Sequence, residues 1–162
     1  MVELRPLTAD DWPAVHDWAR LPEACRYQAW GPNTPEETEA FVRAAAARSA
    51  YAVTVGDRVA GLAELKPSGG AVGEITYAVH PAMWNRGIAT AAARLLLAEG
   101  FGARGRHRIF ATCDPRNTGS ARVLEKIGMT YEGRMRETVL LRDGWRDSAL
   151  YAILAREHRP PG

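Results

Sequence analysis

The sequence predicts an α/β (α+β) fold, a mixed sheet of about seven strands with helices packed on its faces. The first observation behind this is the order of β-prone and helix-prone segments, βααβββαβαββ. The second is that short turns join strands directly at Gly56-Asp57 and Asp143-Gly144, whereas the middle strands are joined through helices. Direct hairpins demand antiparallel pairs and helical crossovers permit parallel ones, so the sheet is mixed. The third is composition: 162 residues, 46% hydrophobic and 25% charged, suit one soluble globular domain over 1–162.

Residues 2–6 predict the first strand. Thr8, with Asp11 three residues on, predicts a capped start for a helix to about Arg20, in which Pro13 fits because it sits in the first turns. Thr34, Pro35 and Glu37 open a second helix to about Ala47, with proline in the first turn and acid beside the positive end of the dipole. Tyr51–Val55 and Arg58–Leu65 read as a hairpin, Gly73–His80 as a strand closed by Pro81, and 86–98 as an Ala/Leu-rich helix ending at Gly100. Arg108–Cys113 is a strand and Thr118–Ile127 a helix stopped by Gly128. Met129–Leu141 and Trp145–Ala155 form the last hairpin.

Twenty-one basic and nineteen acidic side chains leave a net charge of +2, which selects no partner. No apolar run approaches the roughly 18 residues of a membrane span, and the opening residues lack a signal-peptide core, so a cytoplasmic protein that avoids membranes is expected. Cys25 and Cys113 show neither disulfide nor metal-ligand spacing and read as buried thiols, with no metal. The run Arg104-Gly105-Arg106-His107-Arg108 is short and lacks interleaved aromatics, which argues against nucleic acid.

Chemistry concentrates in two segments. In Tyr77-Ala78-Val79-His80-Pro81-Ala82-Met83-Trp84-Asn85-Arg86-Gly87-Ile88-Ala89-Thr90, glycine and small residues stand where a strand turns into a helix. Unpaired N–H groups and the positive dipole end attract phosphate there, and Arg86 adds charge. The pattern is neither GxxxxGK[ST] nor GxGxxG, which disfavours nucleoside triphosphates and dinucleotides. Close packing at a helix start explains the same residues, so both readings stay open. The second segment runs from Asn117-Thr118-Gly119-Ser120 through Val123-Leu124-Glu125-Lys126-Ile127-Gly128-Met129 to Tyr131-Glu132-Gly133. Read alone, Asn117 is a helix cap and Ser120 a solvated helix position.

Together the two segments resemble the GNAT superfamily of N-acetyltransferases, in particular its RimJ/RimL-type branch, through HPxxWxRGxAT and NxxSxxVLEKxGMxxEG. Leu4-Arg5-Pro6-Leu7 and Asp143-Gly144-Trp145-Arg146-Asp147-Ser148-Ala149-Leu150-Tyr151 extend the likeness over about 4–151. Asn85 stands where that branch usually has glycine, and Ala91-Ala92 where it has a glutamate; neither removes an amide. The resemblance implies a mostly antiparallel sheet with helices on both faces, and a splay between the strands at 74–79 and 108–113 that takes the pantetheine of acetyl-CoA. It assigns cofactor binding to Tyr77, Ala78, Val79, Asn85, Arg86, Gly87, Ile88, Ala89, Thr90, Asn117 and Ser120.

The reaction it implies is direct transfer of an acetyl group to a primary amine of a small molecule or peptide. A backbone N–H near Val79 suits the oxyanion. Ser120, or a water it holds, stands in for a proton donor to the thiolate, since Ala121 occupies the position where many relatives carry tyrosine. A lysine-like amine of pKa about 10.4 is only about one part in two thousand neutral at pH 7, so a base is needed. Glu74 is the first candidate and Glu137 the second; His80, before Pro81, reads as structural. Tyr27 and Trp30 are candidates to line the acceptor pocket, and Trp145 equally fits binding or core cover. A coenzyme A-binding sensor, or a transferase for another acyl group, is the alternative. Monomer and homodimer are both compatible with the sequence.

Overall fold

The computed structural model describes residues 1–160. The strands are β1 (Val2–Pro6), β2 (Tyr51–Val55), β3 (Arg58–Pro67), β4 (Val72–Val79), β5 (Arg108–Cys113), β6 (Thr130–Leu141) and β7 (Gly144–Leu154). The helices are α1 (Trp12–Ala19), α2 (Pro22–Cys25), α3 (Pro35–Ala47), α4 (Ile88–Phe101) and α5 (Thr118–Lys126). In the sheet the strands follow the order β1-β2-β3-β4-β5-β7-β6. Pairing is antiparallel for β1/β2, β2/β3, β5/β7 and β6/β7, and parallel for β4/β5. The predicted mixed, mostly antiparallel sheet is the one observed.

The chain forms two compact units, one of residues 1–64 and 77–92, the other of residues 65–76 and 93–162. In the first, α1 and α3 bury Val15, Trp18, Ala19, Val42 and Ala45 with Leu7, Ala52 and Leu62. Thr8 N–H donates to Asp11 Oδ2 at 2.9 Å, and Arg5 clamps both oxygens of the same carboxylate at 2.7 and 2.9 Å. The expected capped start is present, although Ala9–Asp11 form a turn of 3₁₀ helix before α1. Thr34 caps α3 through its side-chain oxygen, which accepts Glu37 N–H at 3.2 Å.

Register in β2/β3 slips by one residue: Val53 faces Gly61 while Thr54 faces Val59, leaving Ala60 as a bulge. A Cβ on Gly61 would stand 2.1 Å from the Ala78 carbonyl oxygen, so only glycine fits where β3 and β4 approach.

In the second unit, Ile75, Leu96, Leu97, Ile109, Leu124 and Ile153 are buried. α4 runs on to Phe101 rather than ending near Ala98. Gly100 does not stop it; a Cβ there would come within 2.4 Å of Ile109 Cδ1, so the glycine serves close packing inside the helix. α4 also begins at Ile88, two residues later than expected, because Asn85 and Gly87 both have positive φ, 60° and 75°. The short helix α2 was not legible, as four residues are too few to show a period.

Candidate active site

The turn from Trp84 to Gly87 is exposed, whereas the side chains of Ile88 and Thr90 point into the protein. Ala91 N–H donates to the Gly87 carbonyl at 3.0 Å, so Gly87 caps α4, and the N–H groups of Ile88, Ala89 and Thr90 have no acceptor one turn earlier in the helix. Three backbone donors and the positive dipole end therefore face the open turn, in which Arg86 is an exposed cation. A Cβ at Gly87 would meet no atom within 4 Å. These are the requirements of a diphosphate, and the turn fits that part of coenzyme A. Asn85 replaces the branch's usual glycine at no cost in geometry, since asparagine tolerates a left-handed backbone better than most residues.

Just before this turn lies the end of β4. Tyr77 and Ala78 are half-buried and Val79 is buried. Trp84 Nε1–H donates to the Val79 carbonyl at 2.8 Å, and His80 N–H donates to the Ala60 carbonyl at 2.8 Å. His80 is occupied at both ring nitrogens: Nδ1 accepts Ala82 N–H at 3.0 Å and Nε2 lies 3.0 Å from Asp17 Oδ2. Accepting at Nδ1 places the proton of the neutral ring on Nε2, which donates to Asp17. With no nitrogen left for a substrate, His80 is a brace between α1 and the β4 end. His80 in turn draws the Asp17 carboxyl below the ordinary range through that hydrogen bond.

Also in the first unit are Tyr27, over whose ring Arg26 sits at 5.2 Å, and Trp30, whose ring meets Trp18 edge-on at 5.8 Å. Trp30 covers the core of α1 and α3. That is one of the two roles open to a loop aromatic in the sequence.

The second unit carries Glu74, Asn117, Ser120 and Glu137. Glu74 pairs with Phe110 in the parallel β4/β5 register, is half-buried, and its carboxylate has no hydrogen-bond or ionic partner among the described residues. Asn117 caps α5: its Oδ1 accepts Ser120 N–H at 3.1 Å. The capping role read from the sequence is real, and it leaves the side-chain NH₂ as the group able to donate to a ligand. The Ser120 hydroxyl is hydrogen-bonded to the Cys113 thiol. Cys113 is only half-buried, against the expectation of a buried thiol; burial still pushes its pKa up, opposed by the Ser120 bond, with Asp114 pushing in the same direction as burial. It stays a thiol at neutral pH. Glu137 is exposed in a bulge of β6, at φ 48°, where its N–H is held by Asp147 Oδ1 at 2.8 Å. Trp145, at 54% exposure, stands out from the hairpin opposite Leu140 and does not cover the core.

A charge network that the sequence does not advertise holds the loop before Asn117. Asp114, nearly buried, accepts the N–H, Nε and one terminal nitrogen of Arg116, whose other terminal nitrogen donates to Asp143 at 2.8 Å in the β6–β7 turn. Arg146 reaches the same Asp143 oxygen at 2.9 Å. These arginines hold the Asp114 and Asp143 carboxyls below the ordinary carboxylate range.

A carboxyl with a depressed folded pKa contributes stability that is present above its unfolded value, about 4, and is lost as pH falls through the lower folded value. Melting temperature measured against pH is therefore expected to be level from about 8 to 5 and to fall below about 4, and Arg116→Met is expected to flatten that fall. An unchanged acid limb would show that the network does not contribute.

The Arg104–Arg108 run is also tied down. Arg104 pairs with Glu99 at 2.7 Å and reaches the Leu65 carbonyl, Arg106 donates to the Gly70 carbonyl, and Arg108 clamps Glu132 with two bonds. These guanidinium groups secure the connection between α4 and β5.

The family model described as an acetyltransferase (GNAT) domain matches residues 2–130. YnaD of Bacillus subtilis, named an uncharacterised N-acetyltransferase, is 33% identical over 159 residues, covering 95% of this chain and 94% of that protein. A GNAT-family acetyltransferase from Bacillus anthracis has a crystal structure that superposes with a TM-score of 0.91 at 33% identity, covering 96% of both chains. RimJ of Mycobacterium smegmatis, solved in complex with CoA-disulfide, superposes with a TM-score of 0.81 at 27% identity, over 96% of this chain and 83% of RimJ. No helix among the described residues is long and apolar enough to cross a membrane. Fold, turn and relatives thus converge, and the chain belongs to the GNAT acetyltransferases, with RimJ among its structural neighbours, as an acyl-CoA-dependent enzyme whose cofactor is acetyl-CoA.

Proposed function

We propose that this protein, as one GNAT-like domain over 1–162, moves the acetyl group of acetyl-CoA onto a primary amine of a small molecule or a peptide N-terminus by direct attack. The observation that carries the reading is the exposed, left-handed turn that presents the Ile88, Ala89 and Thr90 N–H groups beside Arg86. Acetyl-CoA supplies the activated acyl group and a thiol as leaving group. The turn holds its diphosphate, and Tyr77, Ala78 and Val79 offer strand amides to the pantetheine. The Asn117 NH₂, left over from capping, donates to the same arm.

Val79 N–H faces the acyl oxygen and stabilises the charge that develops there; one such donor is typically worth about a hundred- to a thousandfold in rate. Glu74, unpaired and half-buried, takes the proton that the amine nitrogen gives up as its bond to the acyl carbon forms. Ser120 returns a proton to sulfur as the C–S bond breaks. Its hydrogen bond to the protonated Cys113 thiol supplies a second proton-bearing group behind the hydroxyl. Tyr27 and Trp30 are assigned to the acceptor side.

The direct test is amine-dependent release of free thiol from acetyl-CoA across a panel of small amines, α-amino peptides and lysine peptides. Turnover with α-amines or small amines supports the reading. Turnover with lysine side chains alone would overturn the acceptor class, and absence of acetyl-CoA binding would overturn the whole. Ser120→Ala is expected to lower kcat by about a hundredfold with KM for acetyl-CoA changed less than about threefold; equal loss in both would make Ser120 a binding residue instead.

A further inference from the structure

We infer that Trp84 is a positioning residue whose indole N–H fixes the Val79–His80 peptide and thereby aims the Val79 N–H at the acyl oxygen. The inference rests on the acetyl-transfer reading above. Trp84 Nε1–H donates to the Val79 carbonyl at 2.8 Å, while the other polar group of that same peptide, the His80 N–H, donates to the Ala60 carbonyl at 2.8 Å. A planar peptide held at both its C=O and its N–H cannot swing about the strand axis. Beyond it the His80 ring is held at Nδ1 by Ala82 N–H and at Nε2 by Asp17.

The preceding peptide, which carries the Val79 N–H, runs close against β3. The Ala78 carbonyl oxygen lies over the Cα of Gly61, so near that a Cβ at 61 would come within 2.1 Å of it. Only the two torsions at Val79 join this peptide to the held Val79–His80 plane, so fixing that plane limits the directions the Val79 N–H can take. Of the bonds on the Val79–His80 peptide, the one from Trp84 is made by a side chain and can be deleted without touching the backbone.

The placement of the ring supports this role. Trp84 is 47% exposed, so half of a large apolar surface stays in water, whereas its neighbour Met83 is buried and anchors the segment to the core. The feature that sets tryptophan apart from another large apolar residue at this position is the ring N–H that reaches back five residues. The chemistry asks for such a device, because an oxyanion donor is useful only when it is aimed before the charge appears.

Infrared spectra of the protein with acetyl-CoA carrying ¹³C at the thioester carbonyl read the donor directly. The wild-type protein is expected to lower the carbonyl stretch relative to free acetyl-CoA. Trp84→Phe, which keeps a ring without the N–H, is expected to lose most of that shift and about tenfold in kcat, a fraction of what a whole donor supplies. The affinity of unacetylated CoA is expected to change less than about twofold. Because an unfolded fraction weakens both ligands alike, the ratio of acetyl-CoA to CoA affinity is insensitive to lost stability. Trp84→His, which retains a ring N–H donor, is expected to recover part of the shift, and it is read in the same way should the phenylalanine variant fail to fold. A wild-type carbonyl shift in Trp84→Phe overturns the inference. So does equal weakening of CoA and acetyl-CoA, which would make Trp84 a cofactor contact. A wild-type protein that binds acetyl-CoA without any carbonyl shift overturns the oxyanion reading itself.

Discussion

Gly87→Glu is expected to abolish acetyl-CoA binding, with an affinity loss of about a thousandfold, while lowering the melting temperature by only a few degrees. The site is open: a Cβ at Gly87 meets no atom within 4 Å, so the new side chain does not clash with the protein. What it does meet is a backbone at φ 75°, where a non-glycine residue costs about 1–2 kcal/mol. In a chain of this size that corresponds to a fall of roughly 2–8 °C. The larger effect is electrostatic. Two unit charges about 4 Å apart near a protein surface interact by about 4 kcal/mol, and a glutamate at the helix cap would sit where the diphosphate binds.

Gly87→Ala and Gly87→Lys separate the two terms. All three variants share the backbone strain and are expected to melt within a few degrees of one another. Alanine is expected to cost less than about tenfold in affinity and lysine to keep or improve it, as an added cation should at an anion site. Calorimetric or fluorescence titration of acetyl-CoA decides. Equal affinities across the series would show that the diphosphate does not lie on this turn.

That turn is also where the sequence spoke most clearly. A strand, a short small-residue turn and a helix form one local unit, and local units are written in local residue types. For the same reason the spans Tyr51–Val55 and Arg108–Cys113 were legible to the residue, bounded as they are by turn-forming residues and by the ends of β-branched runs. Gly100 shows the limit. As a helix stop it is plausible from its neighbours in sequence, but its reason is Ile109, which the chain reaches only after a helix end and a loop.

The brace around the β4 end was legible only in part. His80 reads as structural from its place before Pro81, and both its ring nitrogens are held; but the partners, Asp17 and Ala60 for His80 and the Val79 carbonyl for Trp84, are either distant in sequence or backbone atoms and could not be named. Arg116 is similar, since its local partner Asp114 was in plain view and its distant one, Asp143, was not. Asn117 falls between these cases: its capping role is local and was readable, and the structure adds that capping consumes only the carbonyl half of the amide. Polar side chains that bind backbone across tens of residues leave no period and no motif, so sequence patterns find the anion turn and miss what aims it.

Gly61→Val tests the most constrained of those long-range contacts. A side chain at 61 would place its Cβ 2.1 Å from the Ala78 oxygen, 3.0 Å from Val79 Cα and 3.1 Å from Ala78 C, all of them backbone atoms that cannot rotate away. β3 and β4 must separate or the Ala60 bulge must move, and overpacking of this kind costs about 3 kcal/mol. The melting temperature should fall by roughly 6–12 °C.

Gly73, also in a strand, is the control. Its nearest obstacle is Leu65 Cδ1 at 2.9 Å, the end of a flexible side chain, so Gly73→Ala should cost about 1 kcal/mol or less. The milder Gly61→Ala carries the same Cβ and should destabilise nearly as much as valine, because the clash is already complete at the first carbon. In the folded fraction it should also lower kcat more than Gly73→Ala does, since the atoms displaced are those flanking the Val79 N–H. Equal melting temperatures for Gly61→Ala and Gly73→Ala would mean that the strands yield there, and a β4 end that yields so readily could not hold an oxyanion donor in aim.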